Sequence, residues 1–196
     1  MSFNSIPFWL FCILAVGGHR LLPHRLRWVW LLAASYVFYA SFDLRILWVL
    51  VGLTACVYAT VRLMDRSQGS TRRVLFLAAI GIPLVTLVGC KYLAFIWQAI
   101  AALAGGLIGK PPSAGFNILV PIGISFYVFK LLSYAIDVHR RRIPAETHVG
   151  YFALYVSYFP QILAGPIERA GDLLPQLRRP GAVGLPGAAA GARLVA

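Results

Sequence analysis

Acidic side chains are scarce in this chain: Asp and Glu number 6 against 18 Lys and Arg, and charges of both signs make up only 12% of 196 residues. An ordinary soluble domain carries about 25% charged and roughly 45–50% apolar residues. Here 60% are hydrophobic and mean hydropathy is +0.77, so a bilayer is the expected solvent. Cysteine is equally sparse. Cys12, Cys56 and Cys90 each lie within an apolar run, without CxxC spacing and odd in number, which excludes a disulfide framework and a zinc site. No Lys or Arg precedes the first apolar run, so the basic leader of a cleavable signal peptide is missing and a retained first helix is expected. Also absent are a GxSxG elbow, a Walker-type phosphate loop, an HExxH helix and a paired-carboxylate constellation. No bound metal or cofactor is expected from such a chain.

What is present is arginine, grouped in short connections between apolar runs: Arg20 with Arg25 and Arg27, then Arg62 through Arg73, then His139-Arg140-Arg141-Arg142. A net charge of +12 in a soluble protein would point to a polyanion. Charge concentrated in alternate connections, with the connection 41–45, expected outside, carrying only one Arg beside one Asp, instead follows the positive-inside rule. Nucleic acid is excluded as a partner, because no basic stripe interleaved with stacking aromatics occurs outside the apolar runs; the lipid bilayer is the partner expected.

A crossing helix needs about 20 mostly apolar residues. Spans are predicted over 5–18, 28–42, 46–61, 74–97 and 118–136, the first three short enough to require tilt, extension into their flanks or a thinned bilayer. The fold class is therefore all-α, a polytopic integral membrane helical bundle of about five spans plus a broken re-entrant segment. With the N-terminus outside, each Arg-rich connection faces the cytoplasm. The Ala/Gly-rich stretch 98–117 is open to three readings, completing a long helix, returning along the interface or forming a short hairpin, and Gly105 and Gly109 have small-xxx-small spacing. The apolar segment 151–164 is interrupted by Pro160 and followed by Gly165-Pro166. A re-entrant element is expected there, which survives at membrane depth only if protein or a wet cavity satisfies its backbone. Two regions result: 1–179 as the membrane domain and 180–196 as a Gly/Ala-rich tail, read as truncated or out of frame.

Chemistry concentrates in one helix. Tyr127, Lys130, Tyr134 and Asp137 recur at i, i+3, i+7 and i+10, which places them on one helical face with Ser133 at its edge. Ionisable residues in a span usually face a bundle interior or a wet cavity. Two readings stay open: Lys130 and Asp137 serve a polar cleft, or Lys130 snorkels to the interface while Asp137 ends the helix. His19, His24, His139 and His148 all fall in charged connections and are expected to be solvated loop residues, outside any water-excluded site where a general base would act.

A co-linear series of short motifs adds a resemblance. Phe3-Asn4-Ser5, Leu31-Leu-Ala-Ala-Ser-Tyr-Val-Phe-Tyr-Ala40, Pro121-Ile-Gly123-Ile-Ser125-Phe126, Ser133-Tyr134 with Asp137, Tyr158-Phe-Pro160-Gln-Ile-Leu-Ala-Gly165-Pro166-Ile-Glu-Arg169 and Leu174-Pro-Gln176 follow in order. Together they resemble the N-terminal part of the membrane-bound O-acyltransferase family, nearest to its alginate O-acetyltransferases. The resemblance implies a multi-helix funnel lined or supported by Pro121, Gly123, Ser125, Tyr127, Lys130, Tyr134, Asp137, Pro160, Gly165, Pro166 and Arg169, with Arg169 pairing Glu168 or orienting an anionic group. It implies an inner-membrane enzyme of bacteria that passes an acyl group from an acetyl thioester or a carrier protein, as co-substrate, to hydroxyls of an exported polysaccharide such as alginate, with periplasmic acetylation partners.

The sequence also departs from the family. Its catalytic histidine is expected well C-terminal of the Gly-Pro-Ile-x-Arg motif, beyond Ala196, so no catalytic residue is assigned and this chain alone is expected to be inactive. Lys130 stands where relatives often have a neutral polar residue, and His139 where an aromatic is common. A non-enzymatic membrane scaffold or a transporter-like subunit is the alternative.

Overall fold

The computed structural model describes residues 6–108, 123–162 and 168–178, all helix or short connection. The helices are α1 (Ile6–Leu21), α2 (His24–Ala40), α3 (Leu44–Arg66), α4 (Gly69–Ile108), α5 (Ile124–His139), α6 (Val149–Ser157), α7 (Phe159–Ile162) and α8 (Ala170–Arg178). Among the described residues, α3 and the Gly69–Tyr92 part of α4 are long and apolar enough to cross a membrane. Helices α1, α2 and α5, of 16, 17 and 16 residues, are shorter. The protein is an all-α membrane protein.

Local chemistry accounts for the helix boundaries. Asp43, in extended conformation, caps α3 by accepting from the Arg45 amide at 2.7 Å, and Pro23 precedes α2 with its fixed φ of −61°. The predicted span 46–61 is therefore extended at both ends, to Leu44 and to Arg66. Helix α2 starts earlier than predicted, at His24, and α1 continues three residues past its predicted end. Helix α4 runs on through Ile108, so the stretch after Gln98 continues the helix at least that far; the rest of it, Gly109 included, lies outside the described residues. Pro83 sits inside α4 and removes one ladder hydrogen bond. Helix α5 begins at Ile124, later than the predicted 118, after Gly123 at φ 75°, a left-handed value that favours glycine.

Helices α3, α4 and α5 pack on one another, while α2 lies between α1, α3 and α6. Leu50, Val57, Val61, Met64, Leu131 and Val138 fill the centre of the α3–α4–α5 group, all fully buried. A smaller aromatic cluster joins α1 to α2 and α7: the Phe11 ring is 5.7 Å from Phe38 and 5.2 Å from Phe159. The outer faces of α1 and α4 present Trp9, Ile13, Leu14, Leu77 and Val85 to the surroundings, as lipid-facing helices do.

The arginine-rich connections gather at one end of the bundle. Arg72 of α4 donates to the carbonyls of Val138 and His139 at the end of α5, at 3.3 and 3.1 Å, and the Tyr58 hydroxyl of α3 donates to the Thr147 carbonyl at 2.6 Å. Trp28 of α2 packs 4.9 Å from the His148 ring. From this end α6 runs inward beside α2, until the Phe159 amide donates to the Ser35 hydroxyl at 3.3 Å. The chain then returns through α8, whose Arg178 pairs with Glu146 and lies over the Tyr151 ring. The two limbs thus start and finish at the same end.

The interruption of this hairpin is not where the sequence places it. Helix α6 ends at Ser157, and Tyr158 turns away from helical geometry (ψ 105°) before Pro160 is reached. Phe159 precedes a proline and is disfavoured in a helix interior, whereas Pro160 occupies the first turn of α7, where a missing N–H leaves no ladder bond unmade.

Close packing of α2 on α6 rests on Gly150, where a Cβ would stand 2.2 Å from the Trp28 ring. Gly150→Ala is expected to force the two helices apart and lower stability in detergent by roughly 1–3 kcal/mol. Gly52→Ala, in α3 with nothing within 4 Å of its added Cβ, is expected to leave stability unchanged or raise it by up to about 1 kcal/mol. Thermal unfolding of both variants in one detergent checks the contrast; equal melting temperatures would contradict it.

Candidate polar site inside the bundle

The face predicted on α5 is buried. Tyr127 and Tyr134 are fully enclosed, with Lys130 at 2% and Asp137 at 6% exposure. The bundle interior therefore receives a cation and a carboxylate on one helix, and each must find a partner.

Lys130 does not snorkel. Its Nζ donates to the Tyr155 carbonyl at 3.0 Å and to Gln161 Oε1 at 2.7 Å, and it lies 5.1 Å from the centre of the Tyr155 ring. Gln161 turns its other group outward, donating from Nε2 to Glu168 Oε2 at 2.7 Å. One amide thereby links a buried cation to a half-buried carboxylate, with its acceptor toward the ammonium and its donor toward the carboxylate. The physical reason for the inward turn is supply of acceptors. Helix α6 ends just past Tyr155, so that carbonyl is free of a ladder bond, and Gln161 and Glu168 lie beside it.

Magnitudes favour this arrangement. A lysine at the centre of a bilayer-spanning helix costs about 2.5–3.5 kcal/mol, while a hydrogen bond involving a charged group returns roughly 1.5–3 kcal/mol. Two such bonds and a cation–π contact therefore match or exceed the cost of burial.

Asp137 does not end the helix either, because α5 continues to His139. Its carboxylate pairs with Arg142 at 3.4 Å, the arginine side chain being 51% and the aspartate 9% exposed. The Tyr134 hydroxyl accepts from the Glu146 amide at 2.8 Å. The Glu146 carboxylate accepts from the His148 amide at 2.9 Å and from Arg178. Glu146 and Gln161 are two buried polar residues, both within this network, that sequence reasoning missed. Gln161 stood within the quoted motif but carried no charge, and Glu146 lies in a connection where no periodicity marks burial.

The remaining predicted residues are placed as follows. Gly123 caps the start of α5, and Ser125 is half-buried in its first turn. Pro160 lies in the first turn of α7. Pro121, Gly165 and Pro166 lie outside the described residues. Arg169 is exposed and forms no ion pair among the described residues, because its expected partner Glu168 turns to Gln161 instead. His24 is exposed, as expected, but two of the histidines are not simply solvated. His139 stacks on Phe76 with ring centres 3.9 Å apart, the packing an aromatic would supply. His148 Nδ1 accepts from the Tyr151 amide at 3.3 Å and caps α6. Among the described residues no group of His, Cys, Asp and Glu is arranged to hold a metal ion.

The chain of contacts from Lys130 through Gln161 to Glu168 is testable as a unit. Lys130→Met removes the donor from two acceptors, at roughly 1–3 kcal/mol for each buried acceptor left unpaired, and Gln161→Leu strips Lys130 of one partner at comparable cost. The double variant Lys130→Met/Gln161→Leu is expected to cost less than the sum, by at least 0.5 kcal/mol or so, since the residues share one network. Strict additivity in detergent unfolding would show them to be independent.

No protein-family model matches the chain, and no solved structure matches it. Among known proteins, the probable alginate O-acetylase AlgI of Azotobacter vinelandii is 38% identical over 181 residues, covering 90% of this chain and 36% of the relative. The protein of the same description from Pseudomonas putida is 35% identical over 90% of this chain and 37% of its own length. A peptidoglycan O-acetyltransferase of Helicobacter pylori is 27% identical over 91% of this chain and 39% of the relative. The chain thus spans somewhat more than a third of the length of the relatives it matches. An all-α apolar bundle, the ordered motif series and identity of 35–38% to alginate O-acetylases across 90% of its residues agree in one direction: the chain is similar to the alginate O-acetylases, consistent with the membrane-bound O-acyltransferase family.

Proposed function

We propose that this chain is part of a bacterial inner-membrane O-acetyltransferase that esterifies hydroxyls of an exported polysaccharide, alginate or a related polymer. The observation that carries this reading is the 38% identity to an alginate O-acetylase over 90% of the chain. The peptidoglycan O-acetyltransferase match supports acetyl transfer to a polymer hydroxyl more broadly than it supports any one acceptor. The donor is an acetyl thioester, either on a small molecule or on a carrier protein, and periplasmic proteins complete or direct the modification.

In this reading the chain supplies architecture for acyl transfer and not its general base. Acyl transfer to a hydroxyl requires a base within hydrogen-bond reach of that hydroxyl. His139 is stacked on Phe76 and His148 caps a helix, roles that hold each ring in place at the arginine-rich end. What the described residues supply is a water-poor interior with fixed donors and acceptors, Lys130, Gln161, Tyr134 and Glu146, on a rigid helix pair. Preorganised dipoles of this kind stabilise charge without solvent reorganisation. The positive-inside rule orients the arginine-rich end toward the cytoplasm and the N-terminus outside, in a multi-pass arrangement.

Deleting the gene in its source bacterium is expected to remove most base-labile acetyl esters from the secreted polysaccharide, measured by alkaline release of acetate and by the acetyl methyl signal in NMR. Restoring the full-length gene should return them; an unchanged acetyl content in the deletion strain would sink the proposal. For orientation, alkaline phosphatase fused after Ser41 is expected to be active and a fusion after Ser67 inactive, and the opposite pattern would reverse the topology.

A further inference from the structure

At the arginine-rich end, between the α3–α4 corner and the end of α5, lies a cavity of about 390 Å³ lined by Asp65, Arg72, Arg141, Arg142, Ile143 and Pro144. It is separate from the buried network around Lys130. Its volume falls within the roughly 300–1,000 Å³ of small-molecule sites. Three arginines line it from two elements, Arg72 from α4 and Arg141 with Arg142 from the segment after α5.

Facing carboxylates do not cancel this charge. Asp65 of α3 lines the cavity, and Asp137 of α5 pairs with Arg142 at 3.4 Å. Three cations against two carboxylates leave an excess of positive charge. Arg72 is held in place by the carbonyls of Val138 and His139, both through the same Nη2, which leaves its other guanidinium donors for a ligand.

The backbone supplies an independent sign that the cavity is built. Helix α5 ends in a Schellman arrangement: the Arg142 amide donates to the Asp137 carbonyl at 2.9 Å, and Arg141 occupies the left-handed position with φ 57°. Glycine is usual there, because a Cβ is disfavoured in that region. Among the described residues Arg141 alone of the non-glycine residues has positive φ. A strained arginine at the place where glycine costs nothing brings its side chain to the cavity wall, and strain of this kind concentrates at ligand sites.

We propose that Arg72, Arg141 and Arg142 form an anion site for a phosphate ester at the arginine-rich end of the bundle. Guanidinium groups suit the ligand, since their planar donors match phosphate oxygens bidentately. Two sources present this chemistry: the phosphodiester of an anionic lipid headgroup, for which basic pockets at the cytoplasmic ends of spanning helices are suited, and a soluble phosphate ester.

The test uses the full chain reconstituted in nanodiscs of phosphatidylcholine, alone or doped with phosphatidylglycerol. Inorganic phosphate is the soluble probe, titrated against chloride at matched ionic strength. Thermal unfolding and lipid retention in native mass spectrometry are the readouts. Selective retention of phosphatidylglycerol without a phosphate effect identifies the lipid headgroup. A phosphate-dependent rise in melting temperature in pure phosphatidylcholine identifies the soluble ester. Arg141→Gly relieves the strained backbone while deleting one guanidinium, so its ligand-free melting temperature is expected to hold or rise while ligand binding weakens at least fivefold. Arg141→Lys is expected to retain part of the binding. Asp65→Asn removes the facing carboxylate and is expected to tighten binding severalfold, a gain that misfolding would not produce. Absence of both ligand effects, or equal affinity in the parent, Arg141→Gly and Asp65→Asn proteins, would overturn the proposal.

Discussion

A lysine ammonium enclosed among apolar helices must be matched by acceptors, and the placement of Lys130 organises much of this structure. Its partners come from the chain that follows α5: a free carbonyl in the last turn of α6 and the side chain of Gln161 in α7. Satisfying one cation thus requires α6 to stop short, α7 to begin beside it and Glu168 to stand on the far side of the Gln161 amide. A continuous helix in place of α6 and α7 would tie up the Tyr155 carbonyl in its own ladder. The broken hairpin and the buried charge are therefore two aspects of one constraint, in which irregular backbone is tolerated at depth because protein groups satisfy it and in turn satisfy the cation.

At the hairpin's base a second set of polar contacts ties both limbs to the bundle. Glu146 accepts from the His148 amide and from Arg178, and its own amide donates to the Tyr134 hydroxyl. Trp28 lies against Gly150, where only a residue without a Cβ permits the approach. Apolar packing alone provides little directional preference between helices in lipid. Hydrogen bonds at depth and at the base therefore fix where α6 and α8 sit relative to α5, and they hold the polar face of α5 inside.

Positive charge is disposed by a different principle. The arginines after α1, α3 and α5 lie at one end, where they end helices, cap carbonyls and orient the chain in the membrane. Arg72 closes the C-terminus of α5 and Arg142 neutralises Asp137. One cluster can thus serve topology, helix termination and ligand binding together, because each guanidinium carries several donors and a helix end uses only some of them.

The sequence by itself determined the membrane character, the helical class and the family resemblance, since each is written in local terms: apolar run length, arginine position and ordered short motifs. The shared face of Tyr127, Lys130, Tyr134 and Asp137 was equally legible, because 3.6-residue periodicity assigns a face without knowledge of neighbours. The partners were not. Whether Lys130 turned to the interface or inward depended on a free carbonyl 25 residues later and an amide 31 residues later. Burial of Glu146, the desertion of Arg169 by Glu168 and the stacking of His139 on Phe76 likewise depended on which segments met. Helix ends shifted because caps act through geometry: Asp43 extended α3, and the break before Pro160 came earlier because a proline restricts the residue preceding it. Periodicity names the face that is buried, and only tertiary contact decides what meets it there.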